Sequence, residues 1–152
     1  MSAAPMSWKR GRGKLGVMTP LLGTWRAEAE TEMGKVVCVR SYEKVLAGAY
    51  VQLKADWRFA DRSYNEIALI GVGEDGQVRF WSFTSDKKQS TGWLADVTDL
   101  HPKAIGFEAE MPGGRGRMAY WPHEREGFVW VVESASKKGW TRFVEHHYSA
   151  VD

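Results

Sequence analysis

Disulfide bonds and long apolar runs are both missing from this sequence. Cys38 is the only cysteine among 152 residues, so no disulfide can form within the chain. No apolar run approaches the roughly 18 residues that a transmembrane helix needs. The first 20 residues also lack the apolar core of about 7–15 residues found in a secretory signal. These absences predict a cytoplasmic protein without a membrane span.

A strong charge of either sign is missing as well. The formal net charge is +2, and its basic part lies within the first 20 residues, which hold no acidic residue. The basic residues there are Lys9, Arg10, Arg12 and Lys14. Such a cluster can touch nucleic acid or anionic lipid, but four charges beside a single aromatic residue, Trp8, fit a solvated arm better. We predict a basic, flexible tail and cap over residues 1–19 and expect no nucleic-acid partner.

Signatures of catalysis are also absent. The chain has no Gly-x-Ser-x-Gly, no His-Glu-x-x-His and no paired-cysteine spacing. The stretch 113–116 is rich in glycine but is not followed by the Lys-Ser/Thr pair of a phosphate loop. Cys38 has no histidine close in sequence and is interpreted as a small buried apolar residue. We therefore favour a binding protein over an enzyme.

A hydrophobic period of two dominates the rest of the chain from Gly23 onward. The clearest stretch is 50–59, where apolar and polar residues alternate strictly, as in a half-buried strand. Turn signals separate further short segments of this kind, among them Asp75-Gly76, a strong hairpin signal. The predicted strands are 23–33, 36–46, 50–59, 64–72, 77–84, 91–100, 104–111, 115–121, 128–135 and 140–149. Residues 14–22 are predicted to form a short helical turn, broken by Pro20, that caps one end.

About ten strands joined by short turns predict an all-β fold. A flat sheet of this kind would expose two edges, and closure into a barrel removes them. We therefore predict a closed antiparallel up-and-down β-barrel of about 8–10 strands over residues 20–152, with a short N-terminal capping segment. A two-sheet sandwich is the competing architecture, but it usually needs longer crossing connections.

The segment Gly23-Thr24-Trp25, preceded by Leu21-Leu22, and the terminal stretch from Trp140-Thr141-Arg142 to His147-Tyr148 carry a family resemblance. The chain resembles the calycin superfamily, which contains lipocalins and fatty-acid-binding-like barrels. It is most similar to intracellular lipocalin-like domains of unknown function, and more loosely to nitrobindin-like haem barrels. The resemblance implies structural roles for Gly23 and Trp25, with Trp25 closing the barrel base.

The same resemblance implies that an arginine from a late strand packs on Trp25. Arg142 is the best positional match. Fatty-acid-binding barrels also use an Arg-x-Tyr pair on the last strand to bind a carboxylate. The spacing from Arg142 to Tyr148 does not reproduce that pair, which argues against a carboxylate site of this type.

Aromatic residues are the main candidates for the barrel interior. Trp57, Phe59 and Phe107 lie on the apolar faces of their predicted strands, whereas the facing of other aromatic residues stays open. Such residues either fill the interior or line a pocket, and Arg40 is a further polar candidate. We predict a non-catalytic site for a small apolar or amphipathic molecule. Its candidate residues are Trp57, Phe59, Trp81, Trp93, Phe107, Tyr120, Trp130, Arg142, His146 and Tyr148.

Four histidines leave a second function open. His146 and His147 are adjacent on a predicted strand, so at most one of them faces the interior. The resemblance to nitrobindin-like barrels makes this pair the only match for a haem ligand, so a haem-binding or isomerase-like enzyme is the alternative. His101 and His123 lie in predicted turns as solvated residues. We predict no cofactor.

A protein-interaction module acting through the outer face is a third hypothesis, and nothing in the sequence specifies an oligomeric state.

Overall fold

Ten antiparallel strands form a closed barrel in which each strand pairs with its neighbours in sequence and β1 pairs with β10. The computed structural model describes residues 8–111 and 113–151. A 3-10 helix, Lys14–Leu21, precedes the strands. The strands are β1 Gly23–Thr31, β2 Gly34–Val45, β3 Tyr50–Arg58, β4 Ser63–Val72, β5 Val78–Thr84, β6 Gln89–Ala95, β7 Ile105–Met111, β8 Gly114–Pro122, β9 Phe128–Ser136 and β10 Gly139–Ala150. The predicted closed all-β barrel is confirmed. Within the described residues, no helix is long and apolar enough to span a membrane.

Closure depends on a short pairing between the first and last strands. Trp25 lies opposite Ala150, and Arg26 lies opposite Ser149. The backbone N–H of Val151 adds a hydrogen bond of 2.9 Å to the carbonyl of Thr24. These bonds satisfy backbone groups that would otherwise form two open sheet edges.

The 3-10 helix covers one end of the barrel, which we call the closed end. Met18 and Leu21 of this helix are buried in the core. The indole Nε1 of Trp25 donates a hydrogen bond of 2.8 Å to the carbonyl of Leu21, and its ring meets Phe128 edge-on at 4.9 Å between centroids. Pro20 lies inside the helix and does not break it, contrary to the prediction.

Two side chains of the N-terminal segment contact the barrel at this same end. Trp8 is half-buried, and its Nε1 donates to the carbonyl of Lys103 at 2.7 Å. Lys14 donates from Nζ to the carbonyl of Gly76. Trp8 and Lys14 of the predicted tail therefore contact the barrel, and residues 1–7 lie outside the described residues.

One predicted strand is too long. The prediction 91–100 contains β6, but the strand ends at Ala95, and residues 96–104 cross the outside of the barrel. Val97 is 1% exposed because it packs with Ala119 and Val131 on the outer faces of β8 and β9. Apolar residues in this loop thus build a small second core outside the barrel.

The turn between β8 and β9 packs closely against the last strand. Gly127 has a φ of 68°, and a Cβ atom at this position would lie 1.9 Å from the carbonyl oxygen of Tyr148. Gly139 also has a positive φ, 110°, but a Cβ there would meet no atom within 4 Å. An alanine at Gly139 would therefore cause backbone strain alone, whereas an alanine at Gly127 would cause both strain and a steric clash.

We expect Gly127→Ala to destabilise the barrel well beyond Gly139→Ala. The control carries only the strain of an unfavourable φ, about 1–3 kcal/mol. Gly127→Ala must in addition displace the backbone of β10 near the closure point. Urea unfolding monitored by circular dichroism measures both variants. Equal losses of unfolding free energy would show that β10 does not press on this turn.

Candidate functional site

The barrel interior contains a cavity of about 650 Å³ at the end opposite the 3-10 helix, which we call the open end. Its walls come from β4 to β10 and from the hairpins that join these strands. Phe80, Phe107, Met118 and Val132 form its apolar wall. This volume lies within the ~300–1,000 Å³ typical of small-molecule sites.

Small inward-facing residues leave this space open. Ala109 of β7 lies opposite Gly116 of β8, which in turn lies opposite Ser134 of β9. All three line the cavity. A Cβ at Gly116 would meet its nearest neighbours at 3.5 and 3.6 Å, which is ordinary van der Waals contact. The cavity exists because these strands present little side-chain volume to the interior.

Aromatic side chains fill the other half of the open end. Trp57 meets Tyr64 edge-on at 6.5 Å and Trp130 at 6.1 Å between ring centroids. The His146 ring lies 5.2 Å from Trp57 and 5.6 Å from Trp130. The interior is therefore packed on one side and open on the other.

The deeper interior is closed off. A void of only about 10 Å³ remains below the cavity, lined by residues that include Met18, Leu53 and Tyr120. Glu66, Phe80, Phe107 and Met118 border both spaces. They form the floor of the cavity.

One wall of the cavity is polar. Ser82 of β5 is 2% exposed and donates from Oγ to Oε2 of Glu66 on β4 at 2.5 Å. Ser90 of β6 lies opposite Ser82. These three residues, which we call the polar strip, cross three neighbouring strands and all line the cavity. The cavity is thus amphipathic, with one carboxylate on its polar side.

A buried arginine lies at the core of the barrel. Arg40 is 1% exposed, and its guanidinium carbon lies 4.4 Å from the centre of the Trp130 ring. Its Nε donates to the Tyr42 hydroxyl at 3.1 Å, and Nη2 donates to the Tyr120 hydroxyl at 3.3 Å. The Tyr42 hydroxyl donates to that of Tyr120 at 2.7 Å. Within the described residues Arg40 forms no ion pair, so hydroxyl groups and an aromatic face replace the usual carboxylate.

This arginine–tyrosine cluster strongly perturbs its ionisable groups. Burial raises the pKa of Tyr42 well above its ordinary value, and the charge of Arg40 opposes that shift only in part. Burial also raises the pKa of Tyr148 above its ordinary value. Burial, reinforced by the charge of Arg40, lowers the pKa of His146, which is therefore neutral at pH 7.

Seven of the ten predicted ligand residues belong to the interior, but they play different parts. Phe107 lines the cavity, and Tyr120 lines the void beneath it. Trp57, Phe59, Trp130, His146 and Tyr148 belong to the packed half or to the core. Phe59 also lies under the guanidinium of Arg62 at 5.1 Å.

The other three predicted residues lie on the outside. Trp81 packs edge-on against Tyr50 at 6.4 Å, on the face of β5 opposite to buried Phe80 and Ser82. Trp93 lies opposite outward-facing Arg79 and likewise does not line the cavity.

The resemblance implied that Arg142 packs on Trp25. In the structure Arg142 does not contact that ring. It binds Glu133 at 3.0 Å and Glu145 at 2.7 Å, with its guanidinium 5.5 Å from the Trp121 ring on the outer surface. Its position follows from the register of β10 with β9, which pairs it with outward-facing Glu133. The partner that Trp25 contacts is Phe128.

Phe107 is the only one of the ten predicted residues that lines the cavity. The predicted strand 64–72 is apolar on both faces around residues 68–70, so the sequence does not show which way Glu66 faces. Gly116 lies in the predicted strand 115–121, but it has no side chain that would indicate its facing. The alternation Val78, Phe80, Ser82 contained a usable signal, because it places Trp81 on the opposite face.

The two adjacent histidines face opposite sides, as the strand geometry required. His146 is buried inside, whereas the His147 ring stacks on His123 at 3.7 Å, and its Nε2 lies 2.8 Å from the carbonyl of Glu126. No described residue lining the cavity is a histidine, and His146 lies among Trp57, Trp130 and Tyr148. The cavity therefore does not fit a histidine-ligated haem. Among the described residues no group of three or more His, Cys, Asp or Glu side chains is arranged to hold a metal.

Comparison of the chain with models of protein families and with curated proteins finds no match. The class that the fold and the site define is therefore a closed ten-stranded antiparallel barrel with a half-open interior.

The buried tyrosines predict a loss of stability at alkaline pH. An unfolded tyrosine loses its proton near the ordinary pKa of 10.0, whereas folded Tyr42 retains it to higher pH. The stabilisation is fully present below that pH and is lost as the pH rises further, at about 1.4 kcal/mol per pH unit for each such proton. We expect Tyr42→Phe to reduce this dependence by about one such increment, measured by urea unfolding from about pH 8 to pH 11.

Tyr50→Phe is the matched control, since Tyr50 is half-buried on the outer face. It should leave the alkaline slope of the wild-type protein unchanged. An unaltered slope in Tyr42→Phe would contradict the assignment of the shift to the buried cluster.

Proposed function

We propose that this protein is a calycin-type barrel that binds a small amphipathic molecule in the open half of its interior, without catalysing a reaction. The observation that carries the proposal is the cavity of about 650 Å³ with one polar and several apolar walls. An amphipathic ligand would place its apolar part against Phe80, Phe107, Met118 and Val132. Its polar part would lie at Glu66, Ser82 and Ser90.

Removal of apolar surface from water would supply the binding energy. Burial of such surface contributes roughly 25 cal/mol per Å². The polar strip would add orientation, because a polar group that enters the cavity loses its water and must find a partner there. A largely preformed cavity also reduces the ordering cost of binding.

The ionisable groups around the cavity support binding over catalysis. Glu66 has a serine hydroxyl as its neighbour, but no histidine or cysteine lines the same space among the described residues. Cys38 is fully buried in the core, where burial raises the pKa of its thiol and disfavours the reactive thiolate. These features do not form a nucleophile with an adjacent base.

Gly116→Leu should strongly weaken ligand binding while leaving the fold intact. The new side chain would enter the cavity from β8 without a backbone clash, because the Cβ position has ordinary contacts. The measurement is titration with N-phenyl-1-naphthylamine, an uncharged apolar dye whose emission increases in apolar surroundings. We expect saturable enhancement with the wild-type protein and at least a tenfold loss of affinity in Gly116→Leu.

Lys35→Leu is the matched control, since it adds the same side chain at an exposed position of β2 that faces outward and does not line the cavity. It should bind the dye as the wild-type protein does. Dye binding that survives in Gly116→Leu, or that is absent in the wild-type protein, would refute the proposal.

A further inference from the structure

Glu66 is the only charged side chain that the described strands direct into the cavity. Glu110, Arg115, Arg117 and Glu133 contribute to its wall only from strand positions that face outward. There Arg115 pairs with Glu108, and Arg117 pairs with Glu133 and Asp99. Lys88, at the rim, has an 81% exposed side chain and lies 3.7 Å from Asp86. A ligand inside the barrel therefore meets a negative charge.

The carboxylate of Glu66 has unused hydrogen-bonding capacity. Its Oε2 accepts from Ser82, and no cationic side chain of the described residues forms an ion pair with it. An ionised carboxylate offers about four acceptor positions on its two oxygens. In a site with apolar walls, a donor on the ligand would find these positions with little competition from water.

The buried cation, Arg40, does not cancel the negative charge that a ligand meets in the cavity. Arg40 and Glu66 lie two strands apart, since Ala55 pairs with both of them. Arg40 does not line the cavity, because the hydroxyls of Tyr42 and Tyr120 and the ring of Trp130 surround its guanidinium. An anionic ligand would have to pass Glu66 and displace this packing before it reached the arginine.

We propose that the cavity selects ligands whose polar end is a cation or a strong hydrogen-bond donor, such as a primary ammonium on an apolar body. Glu66 and Ser82 hold that end, and the wall of Phe80, Phe107 and Met118 holds the apolar body. This inference rests on the proposed binding function and specifies the chemical class of its ligand.

Competition between ligands that differ only in the head group tests the inference. The protein is saturated with N-phenyl-1-naphthylamine and titrated at pH 7 with dodecylamine, dodecanol or dodecanoate. We expect dodecylamine, which is cationic at this pH, to displace the dye at the lowest concentration and dodecanoate at the highest. A hydrogen bond to a charged group predicts that Glu66→Gln weakens dodecylamine about tenfold or more. Dodecanol, a neutral donor, should be weakened less, so the variant loses most of the preference for dodecylamine over dodecanol.

Glu30→Gln is the matched control. It removes the same charge from an exposed position on β1 at the open end that does not line the cavity. It should preserve the preference for dodecylamine, whereas a similar loss in both variants would assign that preference to the general field of the open end and overturn the inference.

Two further outcomes separate this inference from the proposed function. If the dye binds and dodecanoate competes as well as or better than dodecylamine, the barrel binds ligands but the assigned role of Glu66 is wrong. If the dye does not bind at all, the binding function itself fails and the inference falls with it. Circular dichroism of each variant confirms that the barrel has folded.

Discussion

The closed barrel imposes one constraint on every strand: alternate residues must share a single interior of limited volume. Once β1 and β10 pair, no strand can move outward to relieve crowding or inward to fill a void. The size of each inward-facing side chain then determines whether the interior is packed or open. Trp57 and Trp130 fill one side, whereas Ala109 and Gly116 leave space on the other. The cavity is a direct result of this uneven distribution.

The same constraint explains how far the sequence could be interpreted. Strict alternation in 50–59 predicted a strand with the correct facing, and turn signals such as Asp75-Gly76 located the hairpins. Where both sides of a strand are apolar, the sequence does not show which side faces the interior. Outward-facing residues are apolar there because the loop 96–104 and Tyr50 provide apolar partners outside the barrel. Val97 and Trp81 are examples. Arg142 is a different case, because its interior position was expected from the family resemblance, whereas its strand pairing with Glu133 puts it on the outer face. Of the ten candidate residues, only Phe107 lines the cavity.

Arg40 shows how a charge can remain in such an interior. A buried cation normally requires a carboxylate, and the penalty for leaving it without partners is large. Here two tyrosine hydroxyls accept its hydrogen bonds, the face of Trp130 lies against it, and the charge of Glu66 acts on it from two strands away. The arrangement joins β2, β8 and β9 through one side chain. It gives the core a specific set of partners that apolar residues alone would not define.

Glu66 connects this core to the cavity, and its position has an energetic consequence. Its charge favours the buried arginine on one side and any positive or donor group in the cavity on the other. A ligand cation would bring a second positive charge to the same carboxylate, and its repulsion by Arg40 would reduce the gain. That reduction is limited because the arginine is withdrawn behind Tyr42 and Tyr120, whereas the ligand would contact the carboxylate directly, and Coulomb energy falls with distance. The positions of the Glu66 and Arg40 charges, more than the net charge of the pair, therefore determine which ligands the barrel favours.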